Sequence, residues 1–447
     1  MAKRTRNLHP LRGLISRLRN LRLQQYRLRL SSLALIVWCV FAAINGGSEL
    51  VRSTRITRNG SETAVTFEAF QNSSYRLERK TDLTNASWQS IPGVNEITAT
   101  SNGPAQIVDV NATNLANAFY RVNLFGCDWV LPSNSSDPFQ YAAAMELCQI
   151  ATEQGTAPGV ISAALTLASG AGTPAIVSRS IRTGFGNNNV PRAGNSMIVL
   201  STGAAAAPGH VNPSHTAFQP GLNTGTSSAA PADWLAANGG VFPVAPGCPS
   251  ASGNTAYNPV MLTLRVRVPS YAHSIQVSAK FFAADFPEYV CSRYSDLFVA
   301  LLDSTYNGAP ANPPDKNLAT YISPNSDRYP VGANLASGDT GFFTDCVNGA
   351  TGCSDVVPGN ITTCSGTSGL SGTGFDTMVS GQCSVNSRPL GGSTGWMSIR
   401  GNVVPGETIT LRFAIWDTAD GFSDSLVLLD NFVWSAETVT PGTTLDN

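Results

Sequence analysis

TITLRFAIWDTADGFSDSLVLLDNFVW, residues 408 to 434, consists of two apolar segments joined by an acidic connection. In the first, Ile409, Leu411, Phe413 and Ile415 alternate with Thr408, Thr410, Arg412 and Ala414, the period of two expected of a strand with one apolar face. DTADGFSD turns the chain and SLVLLDNFVW returns. A second pair follows the same plan: SIQVSAKFF and DLFVALLD flank a connection that carries Asp285, Glu288 and Asp296. With MLTLRVRV from residue 261, and VISAALTL and SMIVLS upstream, these segments predict an all-β domain of antiparallel strands, a jelly-roll-like β-sandwich.

The rest of the composition fits. The chain has 41 Gly and 27 Pro among 447 residues, and apolar residues at helical spacing are scarce outside one stretch. That stretch is SSDPFQYAAAMELCQIA, where Asp137 is placed to cap a helix, Pro138 to open it, and Gln140 to answer the cap. It predicts a single short helix. Residues 1 to 30 carry nine Lys or Arg and no acid, which leaves 19 bases against all 29 acids in the remainder, a balance of −10. No basic surface is left for a nucleic-acid partner. The basic leader runs into SSLALIVWCVFAAINGG, whose apolar run is the 12 residues from Leu33 to Ile44. Residues 1–50 therefore read as a secretory signal, or as an uncleaved N-terminal anchor that contacts the membrane. Either way the body of the chain is exported to the cell envelope, the cell surface or the extracellular space.

Cysteine usage suits that compartment. Beyond Cys39 of the leader there are eight: Cys127, Cys148, Cys248, Cys291, Cys346, Cys353, Cys364 and Cys383, an even set that predicts disulfides. Eight cysteines allow 105 connectivities; pairing of sequence neighbours, Cys127/Cys148, Cys248/Cys291, Cys346/Cys353 and Cys364/Cys383, is the simplest expectation.

Residues 60–125 form a unit of their own, with short β-branched and aromatic segments separated by turns. YRLERKTDL, then Trp88, then AFYRV resembles the small immunoglobulin- or fibronectin-like modules of bacterial surface proteins. Residues 127–437 are the larger unit, and 438–447 read as a short tail. In the larger unit FGNNNVPRAGNSMIVLSTGAA, FFAADFPEYVCSRYSDLFVALLD and TGWMSIRGNVVPGETITLRFAIWDTADGFSDSLVLLDNFVW together resemble the choice-of-anchor L domain of bacterial surface and secreted proteins. That resemblance implies a surface or secreted location and no general activity.

Two acidic connections in one sandwich would meet at one rim if they lie at the same end. Glu288, Asp296, Asp417, Asp420 and Asp424 are then candidate ligands for a calcium ion, which takes six to eight oxygen donors. The competing reading is that they are turn acids, or partners of Arg293 and Arg412. DTADGFSD does not have the EF-hand pattern. Asp430 differs, since strand alternation sets it beside Leu426, Leu428, Phe432 and Trp434. A strut that accepts hydrogen bonds, or a bulge that turns it outward, explains it best.

No catalytic residues are expected. Gly391–Gly395 fits G-x-S-x-G only as letters within a Gly/Ser-rich stretch, and His210 and His215 lack metal-ligand spacing. Trp234, Tyr257, Tyr289, Tyr294, Tyr306 and Trp396 fall in or near loops, where a sugar ring could stack on them. The expected function is calcium-assisted adhesion to a surface glycan or matrix component. A purely structural envelope component is the alternative, and a hydrolase ranks third.

Overall fold

The computed structural model describes residues 49–51, 53–59, 62–69, 74–82, 89–91, 97–101, 103–110, 112, 118–124, 131–218, 221–352, 357–377 and 390–446. The leader, Trp88, Cys127, Cys353 and Cys383 lie outside them.

The first region is built from β1 (Glu49–Val51), β2 (Ser53–Asn59), β3 (Glu62–Ala69), β4 (Ser74–Lys80), β5 (Gln89–Ser90), β6 (Ile97–Thr98), β7 (Gly103–Asp109) and β8 (Phe119–Leu124). One sheet has the order β1-β8-β4-β5 with β6 also on β4, and the other β2-β3-β7. Alternation decides what lies between them. Val65, Phe67, Tyr75, Leu77, Ile107 and Val122 share one core, and each large side chain so buried contributes roughly 1.5–3 kcal/mol.

The larger region opens on α1 (Pro138–Ala143), where Asp137 accepts the Phe139 amide at 2.9 Å and Pro138 fills a position that needs no N–H donor. Its strands are β9 (Gly159–Thr166), β10 (Arg179–Arg182), β11 (Met197–Ser201), β12 (Ser227–Ala229), β13 (Thr255–Arg267), β14 (Ser274–Ala283), β15 (Leu297–Asp303), β16 (Thr320–Ile322), β17 (Arg328–Pro330), β18 (Phe343–Asp345), β19 (Gly349–Thr351), β20 (Gly359–Ile361), β21 (Gly392–Thr394), β22 (Met397–Asn402), β23 (Thr408–Thr418), β24 (Ser425–Ser435) and β25 (Gly442–Leu445). One sheet runs β10-β11-β24-β14-β21-β18, with β22 on β14 and β25 on β22. The other runs β12-β13-β23-β15, with β9 on β13. The fold is all-β, a small β-sandwich and a larger one.

Both faces of each central strand are covered. Leu264, Phe298, Phe413 and Val427 belong to the main core, while Phe185, Phe218, Phe282 and Leu428 form a second layer and Trp234, Phe242 and Trp416 a third. The third layer contains α2 (Ala232–Ala237), a second helix that the sequence reading did not expect. It is six residues long, too short to establish a 3.6-residue period, and Trp234 holds it by packing at 5.5 Å on Trp416. Trp234 is therefore core and not an exposed stacking residue. The segment read as a tail supplies β25, which extends the sheet through β22.

Two disulfides join described cysteines. Cys248–Cys291 is the expected neighbour pair. The second is Cys346–Cys364, which replaces the expected Cys346/Cys353 and Cys364/Cys383. Backbone pairing explains the change: Cys346 N–H donates to Gly366 O and Ser365 N–H to Thr344 O, while the intervening chain folds away as the β19–β20 hairpin. Cys148 is also disulfide-bonded, to a cysteine outside the described residues.

Candidate functional site

Each acidic connection crosses between the two large sheets. β14 and β24 pair in one sheet and β15 and β23 in the other, so the links β14–β15 and β23–β24 both lie at the same rim. The Ala284 amide donates to Asp424 O, tying one link to the other. Asp285, Glu288, Asp296, Asp417 and Asp424 are all buried there, and Asp420 is half-buried above them.

Their hydrogen bonds divide them. Asp296 is fully served: Oδ1 accepts the Thr418 amide at 3.1 Å and Oδ2 accepts Ser425 Oγ at 2.6 Å, which joins the start of β15 to β23 and β24. Asp417 Oδ2 accepts Asn258 Nδ2 at 2.8 Å, and Asp424 Oδ2 accepts the Leu222 amide at 3.1 Å. Asp417 Oδ1, Asp424 Oδ1 and Asp285 Oδ2 are buried and accept nothing. A buried polar atom without a partner costs roughly 1–3 kcal/mol, and more when charged. Two glycines press on Asp424. A Cβ at Gly203 would stand 1.8 Å from Oδ2 and one at Gly221 2.2 Å from Oδ1, so only glycine lets residues 203 and 221 close over this carboxylate.

The acids also act on one another. Burial first, then the carboxylates of Asp417, Asp420 and Glu288, push Asp285 well above the usual carboxylate range. Asp296 is raised by burial and by Asp285, and Asp417 by burial, Asp296 and Asp424. Burial pushes Asp424 up to about 8 and raises Asp420 as well, against the amides of Leu222 and Phe422. No ion pair among the described residues involves Asp285, Asp296, Asp417, Asp420 or Asp424. Arg412, weighed from sequence as a partner, instead grips Asp233 at 2.8 and 2.6 Å, and Arg293 is exposed. Either protons or a cation must offset this concentration of negative charge. All the donors are oxygens, which suits a hard divalent cation. Among the described residues no three His, Cys, Asp or Glu side chains are already drawn together at the spacing of a metal cage.

Asp430 lies on the same strand pair but outside this group. Its Oδ2 accepts the Arg192 amide, and the Ala193 amide at 3.2 Å; Oδ1 accepts the Asn431 amide at 2.7 Å. Asn431 has φ +53°, and the β14–β24 register shifts between Gln276 and Ser278. This bulge supplies the amide and reverses the alternation. Phe432 and Trp434 accordingly turn into the main core with Leu429, away from Leu426 and Leu428, where unbroken alternation had placed them. Burial still raises Asp430, to about 7, against the three amides.

The remaining sequence candidates stand apart from the rim. Ser393 is buried within β21 and donates to Thr394 O at 3.3 Å, so it is not at a strand-to-helix elbow. His210 Nδ1 accepts the Ala207 amide, and burial lowers its pKa to about 4. Tyr257, Tyr289, Tyr294, Tyr306 and Trp396 are half-buried. The aromatic that the sequence reading missed is Phe422, 53% exposed within DTADGFSD. Its position between two candidate ligand acids was the available clue.

No family model matches the chain, and no curated protein does. A solved structure described as concerning carbohydrate-binding modules of the β-sandwich superfamily aligns with 88% of this chain and 100% of its own, at 8% identity and a TM-score of 0.19. So slight a likeness carries nothing about ligands.

Proposed function

We propose that this chain is an exported envelope or matrix protein of the choice-of-anchor L type, whose larger sandwich is completed by calcium at the acidic rim and serves adhesion to a surface glycan or matrix component. The observation that carries this reading is the set of three buried carboxylate oxygens without partners, Asp285 Oδ2, Asp417 Oδ1 and Asp424 Oδ1. A calcium ion would find acceptors there and relieve the repulsion that raises all three groups. Asp420 and Glu288 complete the proposed donor set, and Asp296, with both oxygens occupied, positions the strands that carry it. Export is supported by the disulfides, which persist in oxidising compartments. Among the described residues no helix is long and apolar enough to cross a membrane.

The test is a thermal melt of the full chain with chelator, with calcium and with magnesium. At a calcium concentration about 100-fold above Kd the gain is about 2.7 kcal/mol, which for a domain of this size raises Tm by roughly 5–10 °C. An unchanged Tm in millimolar calcium sinks the metal reading. A purely structural envelope component would share the calcium response and bind no glycan.

A further inference from the structure

The rim has an inner and an outer half. Asp417 and Asp424 lie inside, closed over by Gly203 and Gly221 and braced by Asn258, which also accepts Thr224 Oγ1 at 2.8 Å. Asp285 faces outward, since it interacts with Asp420, which is half-buried at the solvent edge. Between Asp420 and Asp424 the loop is fixed on both sides of one residue. The Phe422 amide donates to Asp420 Oδ1 at 3.1 Å, Gly421 O accepts Asn258 Nδ2 at 3.3 Å, and Ala419 and Ser423 hold φ values of +75° and +60°. The residue so fixed is Phe422, whose ring is left in solvent. Among the described residues Tyr271, at 37%, is the only other exposed aromatic.

A rigid loop that presents an apolar ring beside a half-open acid has the parts of a ligand edge. A cation there would take Asp285 and Asp420 and keep part of its six-to-eight-oxygen shell turned to solvent. Vicinal hydroxyls of a sugar are neutral oxygens at chelating spacing, and one face of a pyranose ring is apolar. We propose that Asp420 and Phe422 form a glycan subsite, in which the rim cation takes two adjacent hydroxyls of a sugar while Phe422 covers the apolar face of its ring. This rests on the calcium reading and assigns it a ligand class and two residues.

The experiment uses the full chain on mannose-, galactose- and fucose-agarose, loaded in calcium and eluted with chelator, with Tm in calcium measured on the same samples. The expected result is calcium-dependent retention on at least one sugar. Phe422→Ala should weaken retention about tenfold while keeping the whole calcium-induced rise in Tm. Asp420→Asn should also lose retention. A full calcium response with no retention on any of the three sugars overturns the subsite and leaves the metal site standing, as does retention that Phe422→Ala does not change. Absence of both retention and the calcium response overturns the metal reading and the subsite with it.

Discussion

Asp430 and the acidic rim are two ways of burying a carboxylate on the same pair of strands. At Asp430 a bulge and the 192–193 loop deliver three amides to two oxygens, so the charge is fully served by backbone. At the rim, Asp285, Asp417 and Asp424 each keep an oxygen with no donor, and their neighbours are further acids. The difference lies in donor supply and not in depth. A buried acid surrounded by N–H groups is part of the frame, whereas a group of buried acids short of donors is incomplete until a proton or cation arrives.

The contrast breaks first at Asp430. Asp430→Ala leaves the amides of Arg192, Ala193 and Asn431 in a buried space without an acceptor, an expected loss on the order of 3 kcal/mol or more, read as an equal fall in Tm with and without calcium. A fall seen only in calcium would mean that Asp430 belongs to the rim. Asp417→Asn should do the opposite. It removes one repelling charge, so the chelated protein should melt no lower than the parent, while the calcium-induced gain of about 2–3 kcal/mol disappears. If Asp417→Asn keeps that gain, the inner half holds no cation.

Acidity separates the two regions next. Asp424, at about 8, and Asp430, at about 7, hold protons more tightly folded than unfolded, where aspartate titrates near its ordinary 3.8. Each therefore adds stability that is fully present below pH 4 and lost as pH rises through 7 to 8, because the folded state binds the extra protons. Asp285, Asp296 and Asp417 are raised too and act in the same direction. In chelator, Tm should fall steadily from pH 5 to pH 8. Calcium competes with those protons, so its stabilising effect should grow over the same range and offset the fall. A calcium effect independent of pH would place the ion away from these carboxylates.

The strands were legible because their apolar period is two and the runs are long, as in TITLRFAIW and SIQVSAKFF. Asp430 was legible as a conflict, a charge on an apolar face, but its resolution by a bulge was not, since no local residue pattern announces the extra position. The convergence of the rim acids depended on both links crossing between sheets at the same end, a fact of topology absent from either hairpin alone. The Cys346–Cys364 pairing was hidden for a similar reason: the β19–β20 hairpin makes distant sequence partners near ones. Phe422 was passed over because an apolar residue inside an acidic turn carries no period at all.

The smallest expected effect is the most discriminating between inner and outer rim. Asp420 is half-buried and its one printed donor is the amide of its own turn, so Asp420→Asn keeps the shape, and an amide oxygen can still accept from Phe422 N–H. Stability in chelator should change by about 0.5 kcal/mol or less, as for surface substitutions generally. The carboxylate is nevertheless one of two proposed donors to the outer cation, and replacing it with a neutral oxygen weakens a hard cation's site. Titration calorimetry with calcium should therefore show weaker binding in Asp420→Asn and none in Asp417→Asn. Equal loss in both variants would mean a single shared site; an unaltered isotherm in Asp420→Asn would confine the cation to the inner half and leave Asp420 as a turn acid.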